Sequence, residues 1–361
     1  MTITGNVGEW SEIYTLFKVL GDQTLFAGNE SLEKLEDVIY PVLKVLRTES
    51  TGSFEYAIDK EVVFVTSEGT PLLRLPVKEF AEKAEDTLTK IKEQKNKKGT
   101  FSIPEIEKFM TSIHCKSLKA AASAKTDITI VIHDEKTNHQ PSLGFSIKSQ
   151  LGSASTLLNA GKTTNLKYAV TGINADQISE INSFNGKKKV RERVRKIYAF
   201  GGGLEFKKAD NDIFNNNLVL IDTSLPNIVG KILLDFYTTE NKTVKALVGS
   251  LEKDNPLNYD CSSDHPFYSY KIKRMLTDMA LGLTPCKVWD GQNDATGGYL
   301  VVKDDGDVLC YHLYNKNKFE DYLFANTKLE TASTSRHDFA KIYKEGGDHY
   351  IKLNLQIRFL K

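Results

Sequence analysis

The chain has 361 residues, a formal net charge of +1 and 40% hydrophobic residues. This composition predicts a globular protein whose core is large enough for two lobes, and it excludes a disordered or fibrous chain. The near-neutral charge does not by itself indicate a nucleic-acid partner, although a sequence-specific DNA enzyme needs only a local basic face.

The spacing of apolar residues predicts helices mixed with short strands. The predicted helices cover residues 9–20, 31–46, 79–94, 104–110, 175–184, 187–198, 226–237, 243–251 and 268–281, and a further helix starts at 156–158. The predicted strands cover residues 53–65, 71–75, 128–132, 144–149, 165–171, 299–302, 308–314 and 350–360, and a lysine-rich turn covers 95–98. The order of these elements indicates an α/β (α+β) fold, with a mixed sheet flanked by helices.

Cysteine usage and the N-terminus predict the compartment. Cys115, Cys261, Cys286 and Cys310 lie far apart without Cys-x-x-Cys spacing, which argues against a zinc site and a disulfide framework. The N-terminus lacks the pattern of a signal peptide, and no apolar run approaches the length of a membrane span. We therefore expect a cytoplasmic protein with no membrane partner.

The predicted hairpin at residues 127–149 carries the most informative chemistry. Asp127 opens its first strand and Lys148 lies on its second, and pairing about Thr137 would bring Asp127 level with Ser146 and Lys148. Metal-dependent DNA nucleases combine a carboxylate and a lysine in this way. The carboxylate holds a hard divalent cation, which activates water and neutralises phosphate charge, and the lysine polarises the water or the phosphate oxygen.

Three segments of the chain resemble the HpaII-type restriction endonucleases. They are GEWSEIYTLFKVL near the N-terminus, GFSIKSQLGSASTLLNAGKTTN from the hairpin onward, and KLNLQIRF near the C-terminus. The resemblance covers essentially the whole chain. It implies a PD-(D/E)XK-like nuclease fold, Mg²⁺-dependent cleavage of double-stranded DNA, and the CCGG target of the family's best-known member. Under this interpretation residues 1–250 form the nuclease core and residues 251–361 a C-terminal accessory or DNA-recognition region.

The resemblance also assigns candidate catalytic residues. Asp127 matches the first acid of the nuclease pattern and Lys148 matches its lysine, whereas Ser146 occupies the position of the usual second acid. A serine hydroxyl is a weak metal ligand, so another carboxylate must join Asp127. A glutamate on a helix that precedes the hairpin often completes the site in this class, which makes Glu12 the preferred second Mg²⁺ ligand. Three other acids remain open as alternatives: Glu9, Asp134 and Glu105.

Gln150 is a further candidate in the active site. It follows Lys148 by two positions and therefore faces the same side of the strand. We predict that it orients a water, and the alternative is an ordinary hydrogen bond on the sheet.

Three groups of residues are candidate DNA contacts. The basic run at 187–196 predicts a helix whose outward cations contact phosphates, namely Lys188, Arg191 and Arg195. A polar group follows the second hairpin strand, namely Ser155, Thr156, Asn159 and Asn165. Arg336 and His337 are candidates for base edges or phosphate, because an arginine fork matches the acceptors of guanine. The alternatives are a solvated helix face, capping and turn chemistry, and a surface loop, respectively.

The combined prediction is a type II restriction endonuclease that cuts each strand of a short palindromic site. A palindrome favours a two-fold homodimer, although some such enzymes act as monomers. Two alternatives stay open from the sequence. One is a DNA-binding protein on a decayed nuclease fold, because Ser146 breaks the acid pattern, and the other is a repair nuclease without sequence choice.

Overall fold

The structure, a computed structural model, describes residues 2–94, 99–121, 126–134 and 137–361, so the predicted turn at 95–98 lies outside it. The helices are α1 (Val7–Asp22), α2 (Val77–Gln94), α3 (Pro104–Ser112), α4 (Ala175–Ser183), α5 (Lys189–Ala199), α6 (Asp212–Ile221), α7 (Leu225–Thr238), α8 (Val244–Asp254), α9 (Phe267–Leu281), α10 (Lys316–Ala325) and α11 (Thr334–His337). The strands are β1 (Thr24–Gly28), β2 (Lys34–Glu49), β3 (Gly52–Asp59), β4 (Val62–Ser67), β5 (Thr70–Pro76), β6 (Ile128–Ile132), β7 (Ser142–Ser149), β8 (Thr156–Leu158), β9 (Asn165–Thr171), β10 (Gly203–Ala209), β11 (Gly298–Val302), β12 (Val308–His312), β13 (Thr327–Leu329), β14 (Ile342–Glu345), β15 (Asp348–Asn354) and β16 (Ile357–Phe359).

The strands form a large mixed sheet and two smaller ones. The large sheet has the order β1-β12-β11-β7-β6-β2-β3-β4-β5, and its β11–β7 and β1–β12 pairs are parallel. The second sheet has the order β10-β9-β15-β14, and the third has the order β13-β16-β8. Helices pack on these sheets, so the predicted α+β class is confirmed.

The predicted helix at residues 31–46 is wrong, because this segment belongs to the long strand β2. Tyr40, Val42 and Val45 are buried as the strand pairs with β1, β3 and β6. Pro41 would break a helix at this point, since it lacks the N–H that an internal helical hydrogen bond requires. β-Branched residues also favour the strand.

Two shorter predictions also need correction. Residues 156–158 form the strand β8, not the start of a helix, because they pair with Ile357 and Arg358 of β16. The predicted final strand at 350–360 is two strands in two different sheets, β15 and β16. The chain changes sheet at Leu355, whose N–H donates to the carbonyl of Thr164.

The strand β11 lies between two hydrophobic cores. Leu300 and Val302 belong to the core that α1, α2 and β2–β7 build, whereas Tyr299 and Val301 belong to the core of the helices and strands after residue 156. All four side chains are at most 1% exposed. The C-terminal part of the chain therefore contributes two strands, β11 and β12, to the interior of the large sheet. The division into 1–250 and 251–361 stays a prediction.

Within the described ranges, no single helix is long and apolar enough to cross a membrane. The pair α6 and α7 meets the criteria of length and composition together, but the two helices are bent by 110° at the break between them.

We predict that Leu300→Ala lowers the free energy of unfolding by about 2–5 kcal/mol, the usual range for truncating a buried leucine. Leu72, which is 41% exposed on β5, provides the matched control. Leu72→Ala should change the stability by about 0.5 kcal/mol or less. Urea unfolding followed by circular dichroism measures both, and equal losses would contradict the central position of β11.

Candidate active site

The β6–β7 hairpin brings Asp127 beside the end of β7. Its register pairs Ile128 with Phe145, and the Asp127 N–H donates to the Phe145 carbonyl at 2.9 Å. The Asp127 carboxylate then accepts hydrogen bonds from the Ile147 N–H at 2.7 Å and from the Ser146 hydroxyl at 3.0 Å. The predicted alignment of Asp127 with the segment from Ser146 onward is therefore present.

Ser146 connects the two residues of the nuclease pattern. Its hydroxyl is buried, donates to Asp127 and accepts from Lys148 Nζ at 2.8 Å. A hydroxyl donates and accepts at once, so Ser146 joins an anion to a cation. The serine that departs from the acid pattern thus orients both neighbours.

The ring of Tyr299 on β11 packs against the ammonium group of Lys148. Lys148 Nζ lies 4.9 Å from the centroid of the Tyr299 ring, within the range of a cation–π interaction. Tyr299 is itself fixed, because it is buried and its hydroxyl donates to the Ala280 carbonyl at 3.3 Å.

Glu12 reaches the same place from α1. Asn6 caps this helix in a capping box with Glu9, and the apolar residues of the helix pack into the first core. The hydroxyl of the neighbouring Ser11 donates a hydrogen bond to Ser149 Oγ at 2.8 Å. This contact joins α1 to β7. Glu12 thereby faces a cavity of about 780 Å³ that Asp127 and Lys148 also line.

The three alternative acids differ from Glu12 in their contacts or in their position. Glu9 also lines the cavity, but its carboxylate accepts the Asn6 N–H at 2.8 Å and lies 3.3 Å from Lys119. Asp134 lies at the far end of the hairpin, where it accepts a hydrogen bond from Thr137. Glu105 lies in the first turn of α3 and does not line the cavity.

The electrostatics of the cavity centre on Glu12. Burial and, after it, the nearby Asp127 carboxylate together raise the pKa of Glu12 to about 8, against the opposing charges of Lys119 and Arg47. When both groups are ionised, two carboxylates that line one cavity provide oxygen donors suited to a hard cation. Among the described residues, no group of three or more acid, histidine or cysteine side chains has metal-binding geometry. In the described part of the chain, Glu12 and Asp127 are the carboxylates of the cavity other than Glu9, which Asn6 and Lys119 already engage.

A buried ion pair behind the cavity was not predicted from the sequence. Arg47 Nε donates to Glu49 at 2.6 Å, and Ser117 donates to the other Glu49 oxygen at 2.7 Å. Arg47 also donates to the Ser117 carbonyl. The sequence analysis assigned no element to residues 47–49, whereas β2 extends to Glu49 and its alternation turns Arg47 and Glu49 to the same side.

The polar residues after β7 lie in different environments. Ser155 lines the cavity, Gln150 lines a smaller neighbouring one together with Lys148, and Asn159 is exposed. Thr156 pairs with Arg358 in the third sheet. Asn165 is 1% exposed, and its amide donates to the His337 carbonyl at 2.9 Å, so it fixes the C-terminal end of the surface helix α11 to the protein.

The candidate cations of the basic helix differ in how many contacts they make with the rest of the protein. Arg191 donates to the carbonyls of Thr239 and Phe236 at the end of α7, and Arg195 pairs with Glu240 at 2.7 Å. Lys188 lies exposed just before α5. Arg336 is exposed on α11, and His337 is half-buried beside it.

Comparison with known proteins identifies the family. The sequence profile of the HpaII restriction endonuclease family matches residues 6–359. The type II restriction enzyme HpaII of Haemophilus parainfluenzae is 46% identical over 359 residues, which cover 99% of this chain and 99% of that enzyme. No solved structure matches the chain. The chain therefore belongs to the HpaII restriction endonuclease family and is a type II site-specific deoxyribonuclease.

Proposed function

We propose that this restriction endonuclease hydrolyses one phosphodiester in each strand of double-stranded DNA at the palindrome CCGG, with Mg²⁺ as its metal. The target comes from the family resemblance, and the 46% identity over nearly the whole chain supports it. The single observation that carries the chemistry is the shared cavity of Glu12, Asp127 and Lys148.

Glu12 and Asp127 are the proposed metal ligands. Enzymes of this type use a divalent metal, and two facing carboxylates fit Mg²⁺, which prefers few carboxylates and retains waters. When bound, the metal lowers the pKa of a coordinated water and neutralises charge on the scissile phosphate. Glu12 must lose its proton before it serves as a ligand, so we expect metal affinity to rise with pH up to about 8.

Lys148 is the proposed group that stabilises charge on the reacting phosphate. Its ammonium is held by the Ser146 hydroxyl and by the face of Tyr299, so it is oriented before DNA arrives. A preoriented cation stabilises charge that develops in the transition state without reorganising. The same contacts argue against a decayed site, because Ser146 links the two residues of the nuclease pattern.

Sequence reading is proposed to lie outside the hairpin, with Arg336 as the first candidate and residues 153–165 as the second. Asp127 and Lys148 must face the phosphate and so cannot also read base edges. A palindromic target supports a homodimer, in which each protomer cuts one strand.

Plasmid digestion with Mg²⁺ tests the proposed function. We expect discrete fragments whose ends map to CCGG. A smear would instead indicate a nuclease without sequence choice, and intact plasmid with a gel shift would indicate a DNA-binding protein. Discrete fragments with ends at another sequence would keep the reaction and overturn the target.

We predict that Lys148→Ala lowers the single-turnover cleavage rate by about a hundredfold or more, as is usual for loss of a charge-stabilising group, while specific DNA binding persists. Lys119→Ala is the matched control, since it removes another cation from the same cavity. It should retain most of the cleavage rate. Retention of more than about a tenth of the rate in Lys148→Ala would remove this lysine from the transition state.

We predict that Glu12→Gln abolishes metal-dependent cleavage yet stabilises the metal-free fold at high pH. Because burial raises the pKa of Glu12 to about 8, the folded protein holds this proton more tightly than the unfolded chain. The resulting stabilisation is complete below about pH 4.5 and is lost as the pH rises through about 8. Glutamine carries no such charge. At pH 9 the free energy of unfolding of the variant should therefore exceed that of the wild type by roughly 1–3 kcal/mol, after allowance for solvent screening.

Urea unfolding in a chelator at pH 5 and pH 9 measures the stability difference, and thermal shift with Mg²⁺ measures metal binding. Glu105→Gln is the control on α3 and should retain stabilisation by Mg²⁺. If Glu12→Gln also retains thermal stabilisation by Mg²⁺, the second metal ligand beside Asp127 is another acid.

A further inference from the structure

A second cavity, of about 630 Å³, lies between the turn that joins α4 to α5, the short helix α11 and the strands β14 and β15. We call it the anchor pocket. Four cations and one acid line it: Lys189, Arg193, Lys341, Lys352 and Asp338. It therefore concentrates positive charge in a chain whose formal net charge is only +1.

Arg193 is the buried cation of the anchor pocket, at 1% exposure. Its terminal nitrogens donate to the carbonyls of Ala340 at 2.6 Å, Phe184 at 2.8 Å and Asn182 at 2.9 Å. Across the ranges that the structure describes, no carboxylate forms an ion pair with Arg193, and its Nε has no hydrogen-bond partner. A buried guanidinium held only by carbonyl dipoles keeps its positive charge, and that charge attracts an anion.

The rim of the pocket supplies two accessible lysines. Within the described part of the chain, neither Lys189 nor Lys341 forms an ion pair, whereas Lys352 pairs with Asp210 at 2.7 Å. The buried hydroxyl of Tyr343, which also lines the pocket, lacks a hydrogen-bond partner. The pocket thus combines two lysines with buried polar groups that have unused hydrogen-bonding capacity.

The chain sets an upper limit on the distance between the candidate active-site cavity and the end of α11 beside the anchor pocket. Ser155 lines the active-site cavity, and Asn165 holds the carbonyl of His337 at the end of α11. Ten positions separate Ser155 from Asn165, so even a fully extended chain would span at most about 36 Å. One turn of B-DNA is about 34–36 Å long. The end of α11 that Asn165 holds therefore lies no more than about one turn of duplex from Ser155.

We propose that the anchor pocket binds a backbone phosphate of the DNA duplex, through Lys189 and Lys341 with the charge of Arg193 behind them. The inference rests on the proposed function, since the ligand is the substrate itself. Each of the two non-bridging oxygens of a backbone phosphate can accept a charge-assisted hydrogen bond from a lysine of the pocket. A phosphate held there brings the duplex against α11, which carries Arg336.

The test compares two double variants in DNA binding without divalent metal. Lys189→Gln/Lys341→Gln alters the pocket, and Lys108→Gln/Lys245→Gln removes two exposed lysines from α3 and α8 as the control. Affinity is measured against salt for a CCGG duplex and a scrambled duplex. The pocket variant should weaken both equally and reduce the log–log salt slope by about 0.9 for each lost phosphate contact. The control variant should match the wild type in DNA affinity and in salt slope.

A duplex with a neutral methylphosphonate at single backbone positions locates the contact. The wild type should lose affinity at one or a few positions, and the pocket variant should lose none there. Identical salt slopes for the two double variants would overturn the inference, even when the wild type cuts plasmid at discrete sites. Loss of plasmid cutting by the wild type would instead overturn the proposed function.

Inorganic phosphate distinguishes a second source of the same anion. It should compete with the duplex for the wild type and not for the pocket variant. Saturable binding of inorganic phosphate to the wild type alongside bound duplex would assign the pocket to a small free anion and overturn the inference.

Discussion

The position of β11 between two cores is the constraint on which the active-site geometry depends. Alternate residues of β11 enter opposite cores, and the strand pairs in parallel with β7, with Tyr299 opposite Ser146 and Val301 opposite Lys148. A shift of one residue would turn each apolar side chain of β11 into the wrong core. Burial of large apolar area therefore fixes the register of β7. The hydrogen bonds of the active site are added to a strand that is already in place.

This constraint explains how a serine can occupy the position of the usual acid. Position 146 is 2% exposed and lies beside Asp127. A carboxylate there would add a second negative charge next to Asp127 in a poorly hydrated place, and each would raise the pKa of the other. A hydroxyl avoids that repulsion and still holds Lys148. The geometry is consistent with a site whose second carboxylate, Glu12, comes from a different element.

The sequence predicted the local parts of the site, and it missed those that depend on distant contacts. The β6–β7 hairpin and α1 were predicted because the apolar spacing that defines each of them lies within a short stretch of sequence. β2 was not, because the apolar spacing of residues 38–46 also fits a helix, and pairing with three other strands decides the outcome. The bond between Ser11 and Ser149 spans 138 positions, so no local pattern contains it.

Glu9 and Glu12 show how such long-range contacts separate residues that look alike in sequence. Both lie on α1 one turn apart, but the Glu9 carboxylate completes the capping box with Asn6. Glu12 makes no such contact with the cap, and the Ser11–Ser149 bond keeps it in the cavity that Asp127 also lines, where the two ionised carboxylates would repel each other. Without a cation, and at a pH high enough to ionise Glu12, that repulsion opposes the docking of α1 on β7. A bound cation would remove it, so the same helix that completes the site would be stabilised by the metal that the reaction requires.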